Sequence, residues 1–166
     1  IRSVSEIDVV STERKISSDG ERAVKQATTV AMDFGRITVD EDLVLYLFGT
    51  PGQKRFDFMW EILSEGMLGF IVLVDSARPE TFREARSILD TFRGYSNTPF
   101  IVAANKQDDE DAWPPEDLRI AMSLDENVRV LPCVSGDKNS VKGVLVQLLE
   151  VILEYLPEDP AAKATR

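Results

Sequence analysis

The chain contains no histidine. That removes Ser-His and Cys-His nucleophilic catalysis, together with the side chain that most often ligates transition metals. Cys133 is the one cysteine, so no intrachain disulfide can form, which fits a reducing, cytoplasmic setting. Basic residues are in deficit. Lys and Arg number 19 against 29 Asp and Glu, a formal net charge of −10. Such a surface disfavours non-specific binding to nucleic acid or to an anionic membrane, while leaving room for one nucleotide in a locally basic pocket. Long apolar runs are also absent. Met67 to Val74 is the longest, far short of the roughly 18 residues that span a bilayer, so no integral membrane segment is expected. No cysteine lies near the C-terminus to carry a prenyl anchor.

What is present is enough for a real core: 166 residues, 43% of them hydrophobic, the size of one domain. Ile1, Val4 and Ile7 recur at helical spacing and predict the tail of a helix. Residues 11–28 are polar and loop-like. Met32 to Val39 predicts a strand, Asp40-Glu41-Asp42 a turn, and Leu43 to Phe48 the returning hairpin partner. That second strand carries no charge, and we expect it to be buried on both faces. The break after it is sharp: Gly49-Thr50-Pro51-Gly52-Gln53 places two glycines and a proline where a strand cannot continue. Phe56, Met59, Trp60 and Leu63 then mark one face of a short helix ending near Gly66. Gly69 to Val74 and Phe100 to Ala104 read as buried strands, with a helix opened by Pro79 between them that turns Phe82, Ala85, Ile88, Leu89 and Phe92 inward. A helix from Pro114 to about Leu124, a strand within Val128 to Val134, and a helix from about Ser140 to Leu156 with Val144, Leu145, Leu148, Ile152 and Tyr155 on one face complete the pattern. Strands alternating with helices predict an α/β domain over residues 1–156, with a mostly parallel sheet, one antiparallel hairpin and helices on both faces. Residues 157–166 read as a polar tail.

In open α/β sheets ligands sit at the C-terminal ends of the strands, and there the informative residues lie. Asn105-Lys106-Gln107-Asp108 follows five apolar residues directly. The Asp108 carboxylate can accept paired N–H donors from one base edge, which guanine offers and adenine does not. Asn105 can fix both loop and base, and Lys106 can lay its stem along the base plane. Gly52 can bring a bare N–H against a phosphate oxygen, and Gln53 can orient a water. Thr28 and Thr29 stand just before a strand, where a hydroxyl can ligate Mg²⁺. Read singly, each of these is also an ordinary turn or strand-end residue.

Together these segments resemble the Ras-like small GTPases, in order and over nearly the whole chain. Thr29-Val30-Ala31-Met32-Asp33-Phe34 is similar to the switch I threonine segment, and Gly49-Thr50-Pro51-Gly52-Gln53 to the Asp-x-x-Gly-Gln of switch II. Asn105-Lys106-Gln107-Asp108 is similar to the guanine motif, and Ser135-Gly136-Asp137 stands where that family has Ser-Ala-Lys. The Gly-Thr-Pro-Gly-Gln variant most resembles bacterial MglA-like GTPases, including conservon GTPases, which work with roadblock-domain partners in signalling or polarity. The resemblance implies a three-layer P-loop NTPase fold that binds GTP or GDP with Mg²⁺. Gln53 would be catalytic, positioning the attacking water. Gly52 would contact the γ-phosphate, and Asn105, Lys106, Asp108, Ser135 and Gly136 would hold the base, with Gly136 N–H on the guanine O6. Thr29 would complete the metal shell. Loops at about 11–30 and 49–66 would order on GTP and release on hydrolysis.

The chain departs from the family in three places. Gly49 replaces the switch II aspartate that reaches Mg²⁺ through water; Asp33 and Asp75 are the carboxylates that stand to compensate. Asp137 replaces the usual lysine. No Gly-x-x-x-x-Gly-Lys-Ser/Thr occurs, and the expectation is that a first strand and P-loop lie upstream of Ile1. The leading reading is a partner-stimulated GTP-hydrolysing switch. A pseudo-GTPase interaction module and an adenine-specific P-loop ATPase are the alternatives. Phe56, Phe58 and Trp60 offer either an effector surface beside switch II or packing beneath its helix.

Overall fold

The computed structural model describes residues 1–11, 32–50, 52 and 57–156. These divide into two compact units, Ile1–Trp60 and Glu61–Arg166.

In the first unit, the opening residues make a single helical turn, in which Val4 N–H and Ser5 N–H both donate to the Ile1 carbonyl at 3.0 Å. The helix predicted over Ile1 to Ile7 stops there. Ser5 Oγ donates to the Ile7 carbonyl at 2.8 Å, Glu6 N–H donates to the Arg36 carbonyl at 2.9 Å, and Thr38 donates through both N–H and Oγ1 to Glu6 Oε2. These local and cross-chain bonds offer the backbone a better partner than a second turn. The segment runs on into β1 (Val10–Ser11), a short strand where the sequence pattern predicts the start of a polar loop. β1 pairs antiparallel with β2 (Asp33–Asp40), and β2 with β3 (Leu43–Gly49). The hairpin turn falls at residues 41–42, as the acidic triplet predicts, and a bulge between Thr38 and Asp40 shifts the register. β3 is not buried on both faces. Tyr46 is 62% and Phe48 52% exposed, because β2 supplies its one ladder among the described residues and the aromatic face packs only along the hairpin, with Phe34 against both rings.

α1 (Asp57–Ser64) ends at a turn in which Gly66 takes a φ of +76°, the left-handed conformation that closes helices and suits glycine. Trp60 is 1% exposed, which favours packing over an effector role for that ring. Phe56 and the side chain of Phe58 lie outside the described residues.

The second unit has three layers. β4 (Phe70–Asp75), β5 (Phe100–Asn105) and β6 (Val130–Pro132) form a parallel sheet in that order. Alternation along the strands splits the side chains between two faces. Val72, Val74, Val102 and Ala104 pack under α2 (Phe82–Tyr95) and α3 (Pro115–Ala121), which contribute Phe82, Leu89 and Leu118. Ile101, Ala103 and Cys133 pack under α4 (Lys138–Tyr155), which contributes Val144, Leu148, Val151 and Ile152. Central strand β5 is thus covered on both sides, as an unbroken apolar run predicts. β4 is not: Leu73 is exposed. α2 is preceded by a 3₁₀ turn over Pro79–Thr81, and α3 stops three residues earlier than the pattern predicts. Tyr155 is exposed rather than inward, since the buried stripe of α4 ends at Ile152. No helix of the described residues is long and apolar enough to cross a membrane.

Candidate nucleotide-binding site

β5 and β6 run parallel, so their C-terminal ends deliver Asn105 and the Ser135 segment to the same edge of the sheet. Asn105 is a polar residue at the end of a buried strand, 8% exposed. A buried amide must find partners, and its Oδ1 accepts the Ser135 N–H at 2.9 Å. One side chain therefore ties the two loops that the sequence assigns to the base. Lys106 then turns the chain with a φ of 71°, a left-handed conformation uncommon for a residue with a β-carbon. Asp109 N–H closes that turn on the Lys106 carbonyl at 2.8 Å. The turn leaves the side chains of Lys106 and Asp108 exposed beyond the sheet edge.

On the β6 side, Cys133 N–H donates to the Ala104 carbonyl at 2.9 Å, and Gln107 N–H donates to the Cys133 carbonyl at 3.2 Å, so the two loops are laced by backbone as well. Burial raises the Cys133 thiol above its ordinary range. Asp137 caps α4, with its Oδ1 accepting from Asn139 N–H at 2.7 Å and Ser140 N–H at 3.2 Å. Replacement of the family's lysine by aspartate thus has a local reason. Ser135 and Gly136 are exposed, and a β-carbon at Gly136 would meet nothing within 4 Å.

Two residues that sequence reasoning passed over hold this corner in place. Ser76 is fully buried. Its N–H donates to the Asn105 carbonyl at 3.1 Å, its Oγ donates to the same carbonyl, and its own carbonyl accepts Trp113 N–H at 2.8 Å. Gln107, the variable position of Asn-Lys-x-Asp, donates through Nε2 to Ser76 Oγ at 2.8 Å and to the Trp113 carbonyl at 2.9 Å. The available signal was a serine directly after the strand-ending Asp75, aligned in register with Asn105.

The remaining predicted residues are less fully seen. Gly52 is exposed irregular chain, and Gln53 and Thr29 lie outside the described residues. Gly49 ends β3 opposite Asp33. Asp75 Oδ1 accepts Ala77 N–H at 3.2 Å, a turn-closing role. Among the described residues no cluster of three or more metal-ligating side chains occurs.

Residues 4–155 match the protein family described as "Conserved hypothetical ATP binding protein". The chain belongs to that family. It is also similar to the human Ras-related protein Rab-3D, 30% identical over 138 residues that cover 79% of this chain and 63% of that protein. Human Ras-related protein Rab-3A is 26% identical over 150 residues, covering 84% of this chain and 68% of that protein. An uncharacterized protein of Methanocaldococcus jannaschii is 35% identical over 80 residues, 48% of this chain and 50% of that protein. The chain thus spans less than two thirds of Rab-3D and half of the archaeal protein. Homology to Ras-related proteins, the parallel sheet and the antiparallel hairpin identify the α/β fold of the Ras-like P-loop NTPases.

Proposed function

We propose that the chain is a guanine-nucleotide-binding switch that hydrolyses GTP to GDP and phosphate. The observation that carries this reading is the Asn105–Ser135 tie, which holds together the loops that carry Asp108 and Gly136, both exposed, at neighbouring strand ends. A carboxylate that accepts and a backbone N–H that donates match guanine, whose N1–H and 2-amino group donate and whose O6 accepts. Adenine offers a donor at position 6 and no donor at N1, so Asp108 has nothing to accept from its ring nitrogen. Gly52 contacts the γ-phosphate in this reading and Gln53 positions the attacking water, with Thr29 toward Mg²⁺. Magnesium supplies charge neutralisation at the phosphates. Gln53 stabilises no developing charge by itself, so a partner accelerates turnover. The Gly-Thr-Pro-Gly-Gln segment favours an MglA-like subtype in cytoplasmic signalling, with a roadblock-domain (MglB-like) partner and effectors at the switch segments.

The description of the matching family favours a second reading, in which the nucleotide is ATP. Asp108→Asn separates the two. Charge-assisted hydrogen bonds contribute about 1.5–3 kcal/mol each, so the variant binds GDP roughly 10- to 100-fold more weakly and gains affinity for xanthosine diphosphate. Calorimetry with GDP, ADP and xanthosine diphosphate reads the outcome on full-length protein. Equal affinity of the wild type for ADP and GDP, or unchanged GDP affinity in the variant, rejects the guanine assignment. Gly49 favours a module that binds nucleotide without turnover; Mg²⁺-dependent phosphate release from GTP decides against it.

A further inference from the structure

The turn that carries Asp108 is fastened at the one position its motif leaves variable. The backbone of Gln107 donates N–H to the Cys133 carbonyl at 3.2 Å. Its side chain spends both amide N–H groups as well: Nε2 donates to Ser76 Oγ at 2.8 Å and to the Trp113 carbonyl at 2.9 Å. The surroundings dictate that orientation. Ser76 Oγ gives its one proton to the Asn105 carbonyl and can only accept from Gln107, and the Trp113 carbonyl is an acceptor outright. Both anchors are themselves held. Ser76 is fully buried, its N–H donates to the Asn105 carbonyl, and its own carbonyl accepts from Trp113 N–H. The Trp113 ring meets buried Phe82 of α2 edge to face, with centroids 5.5 Å apart. One serine thus closes the chain from Asn105 to Trp113 at both ends, and Gln107 clasps it in between. Asp109 N–H closes on the Lys106 carbonyl at 2.8 Å, so Asp108 stands between two fastened residues.

We propose that Gln107 and Ser76 are positioning residues for the base: their clasp holds Asp108 so that its carboxylate takes the N1–H and the 2-amino group of guanine together. The proposal rests on the guanine-nucleotide reading and adds the source of its discrimination. Asp108 is exposed, and a carboxylate on a loose loop samples many directions. Accepting two parallel donors restricts it to one, at an ordering cost that a fastened backbone lowers. Lys106 sharpens the need. Its φ of 71° is unfavourable for a residue with a β-carbon, and such a conformation persists only where neighbouring bonds hold it. Gln107 supplies those bonds from the next position in the chain. The labour is divided: Asn105 ties down the Ser135–Gly136 loop, and the clasp ties down the Asp108 turn.

The test is calorimetry on full-length protein with GDP, ADP and inosine diphosphate, whose base keeps N1–H and O6 but lacks the 2-amino group. The wild type prefers GDP to inosine diphosphate by at least about 10-fold, the worth of one charge-assisted hydrogen bond. Gln107→Met keeps the length of the side chain, removes its donors and cuts that preference by about threefold or more. Ser76→Ala takes away one of the acceptors and lowers the preference too. In an Asp108→Ala background the preference is gone, and adding Gln107→Met changes GDP affinity by less than about twofold. A residue that only stabilised the fold would weaken both nucleotides alike, and equally in the two backgrounds. Urea melts check that each variant is folded. A GDP preference unchanged in Gln107→Met overturns the proposal, as does a GDP loss as large beside Asp108→Ala as in the wild type. If Gln107→Met fails to fold, an unchanged preference in Ser76→Ala overturns it instead. A wild type that prefers GDP to ADP but not to inosine diphosphate overturns the clasp alone. No GDP binding by the wild type overturns the guanine reading, and the clasp falls with it.

Discussion

The two compact units organise polar groups in opposite ways. In Glu61–Arg166 the polar residues at the strand ends satisfy one another: Ser76, Asn105, Gln107 and Ser135 form a closed set of hydrogen bonds over a core covered on both faces. In Ile1–Trp60 the core among the described residues is Val4, Ile37 and Trp60, the hairpin exposes Tyr46 and Phe48, and Thr50 Oγ1 has no partner among the described residues. A preorganised corner binds with little ordering cost, whereas an unsatisfied one changes when its ligand arrives. That division suits a switch. Under the proposed function, the fixed frame would serve the base, and segments with less packing would respond to the phosphates.

The contrast breaks most visibly when the rigid unit is hollowed. Leu89 is fully buried in the middle of α2, within the cluster formed with Val72, Val74 and Leu118. Leu89→Ala removes three carbons from a packed site and is expected to cost about 2–5 kcal/mol. A urea melt reads this as a lower midpoint with an unchanged slope. Leu47→Ala, at a half-buried hairpin position, is expected to cost distinctly less. An equal loss at the two sites would remove the distinction in packing between the units.

A finer break cuts the tie itself. Asn105→Ala leaves the Ser135 N–H without its acceptor. Losing one partner of a fully buried hydrogen bond costs about 1–3 kcal/mol, and this part-buried one is expected to cost the lower end of that range; the loss spreads from stability to binding, because the Ser135–Gly136 loop is no longer tied to the strand that carries Asp108. GDP affinity falls at least about 10-fold, equally in EDTA and in Mg²⁺. That equality sharpens the comparison, since the proposed function assigns this corner the base and not the phosphates with their metal. A Mg²⁺-selective defect in Asn105→Ala would mean the two regions are not reading separate parts of the nucleotide.

Much of this division was legible in the residues. Five apolar residues running into Asn105-Lys106-Gln107-Asp108 announced a buried strand with a polar terminus, and the ladder bears that out. The turn at 41–42 followed from its acidic residues. Where the reading failed, tertiary partners decided. Leu43–Phe48 carries no charge and so resembles a two-sided core strand, but apolar composition does not say whether a second layer covers it. Ile1, Val4 and Ile7 have helical spacing, but Ser5 and Glu6 bond to β2 instead. Ser76 and Gln107 were missed because a serine after a strand is common and the variable position of a motif carries no pattern. The Asp33–Gly49 pairing was out of reach for a different reason. The bulge at Thr38–Asp40 sets the register, and a shift of one residue would turn Asp33 to the other face.

The smallest expected effect concerns Asp137, where the chain departs from the family's lysine. Its carboxylate accepts from Asn139 and Ser140 N–H at the start of α4, and Ser140 Oγ accepts Val134 N–H at 2.9 Å. The cap is therefore linked to the loop that carries Ser135 and Gly136. Asp137→Ala is expected to cost about 1 kcal/mol in a urea melt, the ordinary worth of an N-cap. Asp137→Asn retains an acceptor oxygen and is expected to recover most of it. Nucleotide affinity should fall by less than about threefold in either variant, because the Ser135 N–H remains held by Asn105. If Asp137→Ala instead weakens GDP binding as much as Asn105→Ala, the cap rather than the asparagine positions the loop, and the rigid half of the site is built from α4 inward.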